Sequence, residues 1–333
     1  MPLNMVPALP RDIFTIEDSD TFRELALKVF LYQAGGNRVY ADYLNSLGVD
    51  SGSVSELFEI PFLPVEFFKT HRVLCNGQKP DLIFGSSGTS GMTPARHPVA
   101  DASLYRRSFT EGFRRFYGDP GKTCILALLP SYLERKGSSL VYMMEHLIGD
   151  SQHPDSGFYL DDLDRLTAVL RRRNADGHPT LLMGVSFALL DLAERYPMAL
   201  GEHIVVMETG GMKGRRKELV REELHEILKA AFQLPEVHSE YGMTELLSQA
   251  YSNGGGLFRS PPWMKVMARD ANDPLTVLEK GGSGGLNIID LANLYSCSFI
   301  ATGDLGRVYE DGSFEVLGRF DHVDVRGCNL LVT

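Results

Sequence analysis

Three short apolar runs, at 124–129, 181–185 and 204–207, constrain this chain more than any other feature. Each has strand length, and stretches of helical spacing at 161–173, 186–195 and 217–232 alternate with them. Such an alternation is the signature of parallel strands whose two faces are covered by helices. The middle of the chain is therefore expected to be α/β. After Pro261 and Pro262 the pattern changes to short strands at close spacing. Gly281-Gly-Ser-Gly-Gly285 reads there as a break between strands, and Asp311-Gly312 reads as a hairpin turn between 306–309 and 314–317.

The first 80 residues read as mainly helical. Phe22, Leu25, Ala26, Val29 and Phe30 recur at helical spacing, with Thr21 and Glu24 placed as a capping box and Gly35 and Gly36 as the stop. A second amphipathic helix carries Leu104, Tyr105, Phe109, Phe113 and Phe116 as an apolar stripe that reads as core. The expected division is a helical leader packed on the core (1–80), an α/β nucleotide-binding core (81–260), and a β-rich subdomain with a short C-terminal tail (261–333). Trp263 is expected to pack where the last two regions meet. Asp161, Asp162 and Asp164 read as a helix N-terminus, the end of the dipole that acidic groups favour, and not as a metal cluster.

Composition narrows the classes of function. A net charge of −10 argues against nucleic acid as a bulk partner, although the basic run of Lys213, Arg215, Arg216 and Lys217 is open to either a phosphate contact or a solvated helix start. The four cysteines, at 75, 124, 297 and 328, lack C-x-x-C spacing, which gives little support to a zinc site and fits reduced thiols in a cytoplasm. No apolar run approaches the roughly 20 residues of a membrane span, and the proline-containing N-terminus lacks the basic region of a signal peptide. The expectation is a cytoplasmic protein without integral membrane association.

The chemistry concentrates first in Phe84-Gly-Ser-Ser-Gly-Thr-Ser-Gly-Met-Thr-Pro-Ala-Arg96. Glycines let a backbone approach an anion, and Ser86, Ser87, Thr89 and Ser90 add hydroxyl donors beside free N–H groups. The stretch reads as a phosphate cradle or, alternatively, as a surface turn. It lacks the lysine that follows the second glycine of a P-loop, and its glycines at 85, 88 and 91 do not fit G-x-G-x-x-G.

Ser239-Glu-Tyr-Gly-Met-Thr-Glu245, Ala301-Thr-Gly-Asp-Leu-Gly-Arg307 and Gly318-Arg-Phe-Asp321 follow in that order. Together with the glycine loop, each resembles a core motif of the adenylate-forming enzymes. Leu129-Pro-Ser-Tyr-Leu-Glu-Arg135, Met207-Glu-Thr-Gly-Gly-Met-Lys-Gly-Arg-Arg216 and Arg326-Gly-Cys-Asn329 further resemble the acyl-protein synthetase (LuxE) branch, over nearly the whole chain after about residue 55.

The resemblance implies an α/β fold of the adenylate-forming N-terminal type, with parallel and mixed sheets flanked by helices, a β-rich C-terminal subdomain and no C-terminal lid domain. It implies ATP and Mg2+, with Ser86, Ser87, Gly88, Thr89, Ser90 and Gly91 on phosphate, Gly210, Gly211 and Tyr241 on the adenine side, Thr244 as a further phosphate contact, and Gly242 in the same nucleotide-binding segment. Glu245 would hold the metal, and Asp304 would accept both ribose hydroxyls, with Arg319 also reaching the nucleotide. Arg96 and His97 stand near the place where the family often has a lysine, which makes Arg96 a catalytic candidate, and Asp321 resembles a hinge. Cys328 is the implied acyl acceptor, or else a buried small apolar residue, and Cys75, Cys124 and Cys297 read as core. The implied reaction is ATP-dependent activation of a carboxylic acid, by resemblance fatty, and its transfer to a protein cysteine, from which a reductase or another carrier receives it. Two alternatives stand beside it: an aryl- or acyl-CoA ligase of the phenylacetate type, and a nucleotide-binding or scaffold protein that has lost the chemistry. His238 reads as a structural histidine or as a base.

Overall fold

The computed structural model describes residues 9–86, 93–130, 137–210, 219–279 and 282–320. Helices α1 (Leu9–Asp12), α2 (Ser19–Gly36) and α3 (Arg38–Ser46) come first, followed by β1 (Leu63–Pro64) and α4 (Phe67–Thr70). The stripe of Phe22, Leu25, Ala26, Val29 and Phe30 is buried as the spacing requires. The cap differs from the expectation. Asp18 is the N-cap and accepts from the Thr21 backbone N–H, so the helix starts one turn earlier than a Thr21 cap allows. Buried Gln33 then ties this helix down: its Nε2 donates to the carbonyls of Asn293 and Leu294, and its Oε1 accepts from Ser298 N. Residues 260 positions apart in the chain are thereby fixed to one another.

Strands β2 (Leu82–Gly85) and β3 (Arg96–Val99) form an antiparallel hairpin that flanks the glycine loop. Next comes α5 (Ala102–Tyr117), capped by Asp101 and ended by Gly118 at φ 82°. The central sheet is built from β4 (Cys124–Leu128), β5 (Gly157–Phe158), β6 (Thr180–Val185), β7 (Ile204–Thr209), β8 (His238–Tyr241) and β9 (Ala250–Ser252), in the order β5-β4-β6-β7-β8-β9. Its first five strands are parallel and β9 is an antiparallel edge. Helices α6 (Ser139–Ser151), α7 (Leu163–Asp176), α8 (Ser186–Arg195) and α9 (Arg221–Phe232) are its crossovers. Every residue of β4 and β6 is buried, which explains their uninterrupted apolar sequence. Asp162 caps α7 through Arg165 N, as expected of that acidic cluster.

A second sheet holds β10 (Met264–Arg269), β11 (Val277–Leu278), β12 (Gly282–Asp290), β13 (Phe299–Val308) and β14 (Phe314–Arg319), in the order β1-β13-β12-β10-β11 with β14 on the other part of β13. The leader thus contributes β1, parallel to β13 through Leu63 and Ile300. The glycine stretch read as a break belongs to β12 from Gly282 onward. Side chains are excluded there by Arg269: a Cβ on Gly284 would lie 2.0 Å from its carbonyl oxygen, and one on Gly285 2.4 Å from its Cζ. The glycines let a buried arginine cross the strand and donate to the carbonyls of Leu286 and Thr302. Trp263 is buried where α5 meets the 247–248 segment, its Nε1 donating to the hydroxyls of Ser108 and Ser248.

Candidate functional site

The motif residues of the two sheets meet at the carboxyl ends of β7 and β8, through Tyr241 and Asp304, in the kind of crevice where ligands of open α/β sheets bind. The neck of the glycine loop stands beside it. Ser86 and Ala95 are joined twice, by Ser86 N to the Ala95 carbonyl (3.0 Å) and by Ala95 N to Ser86 Oγ (2.8 Å). Ser86 therefore closes the loop's base. Ser87, Gly88, Thr89, Ser90 and Gly91 lie outside the described residues. Arg96 is exposed at the outgoing end, paired across the hairpin with Gly85.

His97, the next residue, faces inward and is fully buried. Burial pushes its imidazole down to about 4, so the ring is neutral. Its Nδ1 lies 2.8 Å from the Thr244 carbonyl, which can only accept, so the ring donates. One hydrogen bond thus fastens the loop hairpin to the Thr244-Glu245 turn.

That turn is held from below as well. Asn293 Nδ2 donates to the Glu245 carbonyl (2.7 Å), and Asp290 Oδ2 accepts from the backbone of Leu247 (2.7 Å) and Ser248 (3.0 Å). The Glu245 carboxyl is buried and pushed up by desolvation, against the opposing pull of Arg319 and Lys69. Its own backbone N–H is the donor that pulls it back most. A desolvated carboxylate whose donor is its own backbone fits a hard cation that takes its other ligands from phosphate and water. No group of three or more His, Cys, Asp or Glu that would cage a metal by itself exists among the described residues.

Across the crevice, register places Asp304 of β13 opposite Arg319 of β14. Arg319 Nε donates to Asp304 Oδ1 at 3.2 Å, and Tyr241 OH donates to Asp304 Oδ2 at 2.7 Å. The Tyr241 hydroxyl is held well above its ordinary range, first by burial and then by the Asp304 charge. Its ring stacks edge-on against Phe258 and Phe314. Thr209 pairs with Glu240, which brings Gly210, at φ 67°, beside Tyr241. Gly242 is exposed and Thr244 half-buried at the same mouth. The structure therefore joins Tyr241, Asp304 and Arg319 directly, sets Gly210 and Gly242 beside Tyr241, places Glu245 within the field of Arg319 and Asp304, and ties Thr244 through His97 to the hairpin that carries Ser86 and Arg96. Gly211, Lys213, Arg215, Arg216, Lys217, Asp321 and Cys328 lie outside the described residues. Cys75, Cys124 and Cys297 are buried, each thiol pushed up by desolvation, and His238 sits against the Tyr117 hydroxyl at 3.2 Å.

Sequence reasoning missed Glu240. It accepts from the Thr209 hydroxyl through Oε2, and burial pushes its carboxyl up to about 7, with Glu208 adding to the rise. The available signal was its place in β8, where alternation turns Ser239 and Tyr241 to one face and Glu240 to the other. Because the folded state binds this proton more tightly than the unfolded one, the group's contribution to stability is full below about 4.5 and is lost as pH rises through about 7. Glu240→Gln keeps an acceptor for Thr209 and removes the charge. It is expected to match the wild type in urea unfolding near pH 4.5 and to exceed it at pH 8 by up to about 3 kcal/mol. The crevice reaches the edge of this side chain, which makes that figure an upper bound. A difference that does not change with pH would refute the assignment.

A groove of about 880 Å3 is lined among others by Phe116, Tyr251, Leu257, Arg259, Asp311 and Glu315. It contains neither Glu245 nor Asp304.

No protein-family model and no curated protein matches the chain. Solved structures do. The chain is similar to 2-hydroxyisobutyryl-CoA ligase in complex with 2-HIB-AMP, with a TM-score of 0.62 and 11% identity over 92% of this chain and 69% of that one. It is also similar to ATP-bound MatB from Rhodopseudomonas palustris, with a TM-score of 0.54 and 17% identity over 71% of this chain and 47% of that one. A long-chain-fatty-acid-CoA ligase from Archaeoglobus fulgidus aligns with a TM-score of 0.51 and 17% identity over 72% and 51%. The chain spans about half the length of the first solved structures it matches. The fold is that of the adenylate-forming enzymes: an α/β core with mixed sheets and a strand-rich C-terminal part. Among the described residues no helix is long and apolar enough to cross a membrane.

Proposed function

We propose that this protein activates a carboxylic acid with Mg-ATP and passes the acyl group to a thiol. The observation that carries the reading is the convergence of Glu245, Asp304, Arg319 and Gly210 on one crevice beside the neck of a glycine- and hydroxyl-rich loop. A carboxylate oxygen of the acid attacks the α-phosphorus, the bond to pyrophosphate breaks, and an acyl-adenylate forms. A thiolate sulfur then attacks the acyl carbon, and AMP leaves with the electron pair of the anhydride bond.

Each side chain has work in this scheme. Asp304 offers acceptor oxygens to the ribose hydroxyls, and Tyr241 fixes that carboxylate in place. Ser86 and the loop beyond it orient the leaving pyrophosphate, with Arg96 at the loop's exit as a further cation. Thr244 supports the phosphates. Magnesium at Glu245 would neutralise charge that develops on phosphate oxygens. The acceptor by resemblance is Cys328, from which a protein partner such as a reductase would take the acyl group. The resemblance alone gives the acid as fatty.

A CoA ligase is the second reading, favoured by the CoA ligases among the structures of like fold. Carboxylate-dependent exchange of labelled pyrophosphate into ATP tests the common first step. Exchange with at least one acid class is the expected result, and ATP binding without exchange for any acid would overturn the reading. Cys328→Ser then separates the two branches: exchange survives in both, while a hydroxylamine-labile acylated enzyme is lost only if the cysteine is the acceptor.

A further inference from the structure

The face of the β8–β9 pair that α5 covers carries polar groups that the scheme above does not use. Glu240 and Tyr251 are directly opposed in the antiparallel register, so their side chains stand together on one face. That face is covered by α5, because the Tyr251 ring packs on Phe116 (5.1 Å) and Tyr117 (5.3 Å). Tyr105 and Tyr117 of the helix also feel the Glu240 charge.

Tyr251 is 2% exposed, and its hydroxyl has no hydrogen-bond partner among the described residues. Glu240 has one oxygen committed to Thr209; the other, Oε1, has no donor among the described residues and lies toward Gly242, where a Cβ would come within 2.5 Å of it. A buried polar atom left unpaired costs roughly 1–3 kcal/mol, which a ligand that completes the hydrogen bond recovers. Space lies beside Tyr251: it and Phe116 line the groove of about 880 Å3. Gly112 sits on the buried face of α5, one turn before Phe116, and among the described residues no atom lies within 4 Å of where its Cβ would be. A glycine inside a helix is itself destabilising relative to alanine, so open space at this position is kept against propensity.

We propose that the acid enters between α5 and the β8–β9 pair, and that Glu240 and Tyr251 select one whose body carries a hydrogen-bond donor, a hydroxyl or amino group, over an unsubstituted alkyl or aryl acid. This rests on the adenylation reading and replaces its fatty acid with a polar one. A long alkyl chain would leave both unpaired oxygens buried against methylenes. A donor at the same place meets one acceptor that is ionisable and one hydroxyl that can reorient.

Matched acids test it: hexanoic, 6-hydroxyhexanoic and 6-aminohexanoic acid, and benzoic acid with its 3-hydroxy and 3-amino forms. Pyrophosphate exchange is measured alongside the shift in Tm that each acid produces on ATP-loaded protein, a readout that needs no turnover. Donor-bearing members are expected to give a kcat/KM at least about 10-fold above their unsubstituted partners and the larger Tm shift. The hydroxyl and amino arms show which donor is read. Glu240→Leu should abolish or reverse the preference, and Tyr251→Phe, which removes only a hydroxyl and preserves the ring packing, should reduce it. Equal or better use of the unsubstituted acids by the wild type would overturn the proposal, as would a uniform loss across all acids in both variants. Discriminating Tm shifts without any exchange would sustain this selection and overturn adenylation; exchange without discrimination would do the reverse.

Discussion

Asp304→Asn is expected to weaken ATP binding roughly 10- to 100-fold and leave the fold nearly as stable as the wild type. The two effects separate because the carboxylate has two kinds of partner. Within the protein, Oδ2 accepts from Tyr241 OH at 2.7 Å, a bond that an asparagine oxygen can keep. Oδ1 meets Arg319, whose side chain is 80% exposed, and an ion pair to so exposed a partner contributes about 0–1 kcal/mol. Toward the nucleotide the demand is different. Accepting two ribose hydroxyls takes two acceptor oxygens, and the asparagine amide has one, with an NH2 that meets the second hydroxyl donor to donor unless that hydroxyl turns. Losing one hydrogen bond to a charged group is worth about 1.5–3 kcal/mol, which is the stated range of affinity. Equilibrium binding of ATP and urea unfolding, measured on the same preparation, decide the matter. Undiminished ATP affinity would remove Asp304 from the ribose site.

The motifs that pointed to the crevice are local: glycines and hydroxyls within thirteen positions at 84–96, or a Thr-Gly-Asp run on one strand. Such features can be read because neighbouring residues build them. The same holds for the central strands, whose burial on both faces leaves an apolar run, and for the stripe on α2. Long-range contacts are not written this way. Gly284 and Gly285 looked like a break because nothing near them in sequence announces Arg269, which approaches from the neighbouring strand. Glu240 looked like part of a motif, while its raised pKa comes from burial and from Glu208 on the adjacent strand. The Thr21 cap failed for the opposite reason: a stronger acceptor, Asp18, stood three residues earlier and took the Thr21 N–H.

Asp290 is the clearest case of a residue whose importance only the fold reveals, and Asp290→Ala is expected to cost about 4 kcal/mol or more of stability. Fully buried, it accepts from Leu247 N, Ser248 N and Ala292 N and from the Ser248 hydroxyl. Burial pushes its carboxyl up to about 6 against the downward pull of these donors. Alanine removes the acceptor and strands three backbone N–H groups, at 247, 248 and 292. Each stranded group costs roughly 1–3 kcal/mol, and the methyl-sized remainder leaves a cavity in addition. The Ser248 hydroxyl would also lose the partner that orients it toward Trp263 Nε1. Ser248→Ala is the internal comparison, expected near 1 kcal/mol because the backbone donors keep Asp290. The consequence reaches the site, since Glu245 lies two residues before Leu247 and rests on the same segment through Asn293. Under conditions where Asp290→Ala remains folded, the magnesium concentration needed for half-maximal pyrophosphate exchange should rise several-fold, while ATP contacts made from β13 are unchanged. A loss below about 1 kcal/mol in urea unfolding would mean that the freed N–H groups find other acceptors, and the turn that carries Glu245 would not depend on this carboxylate.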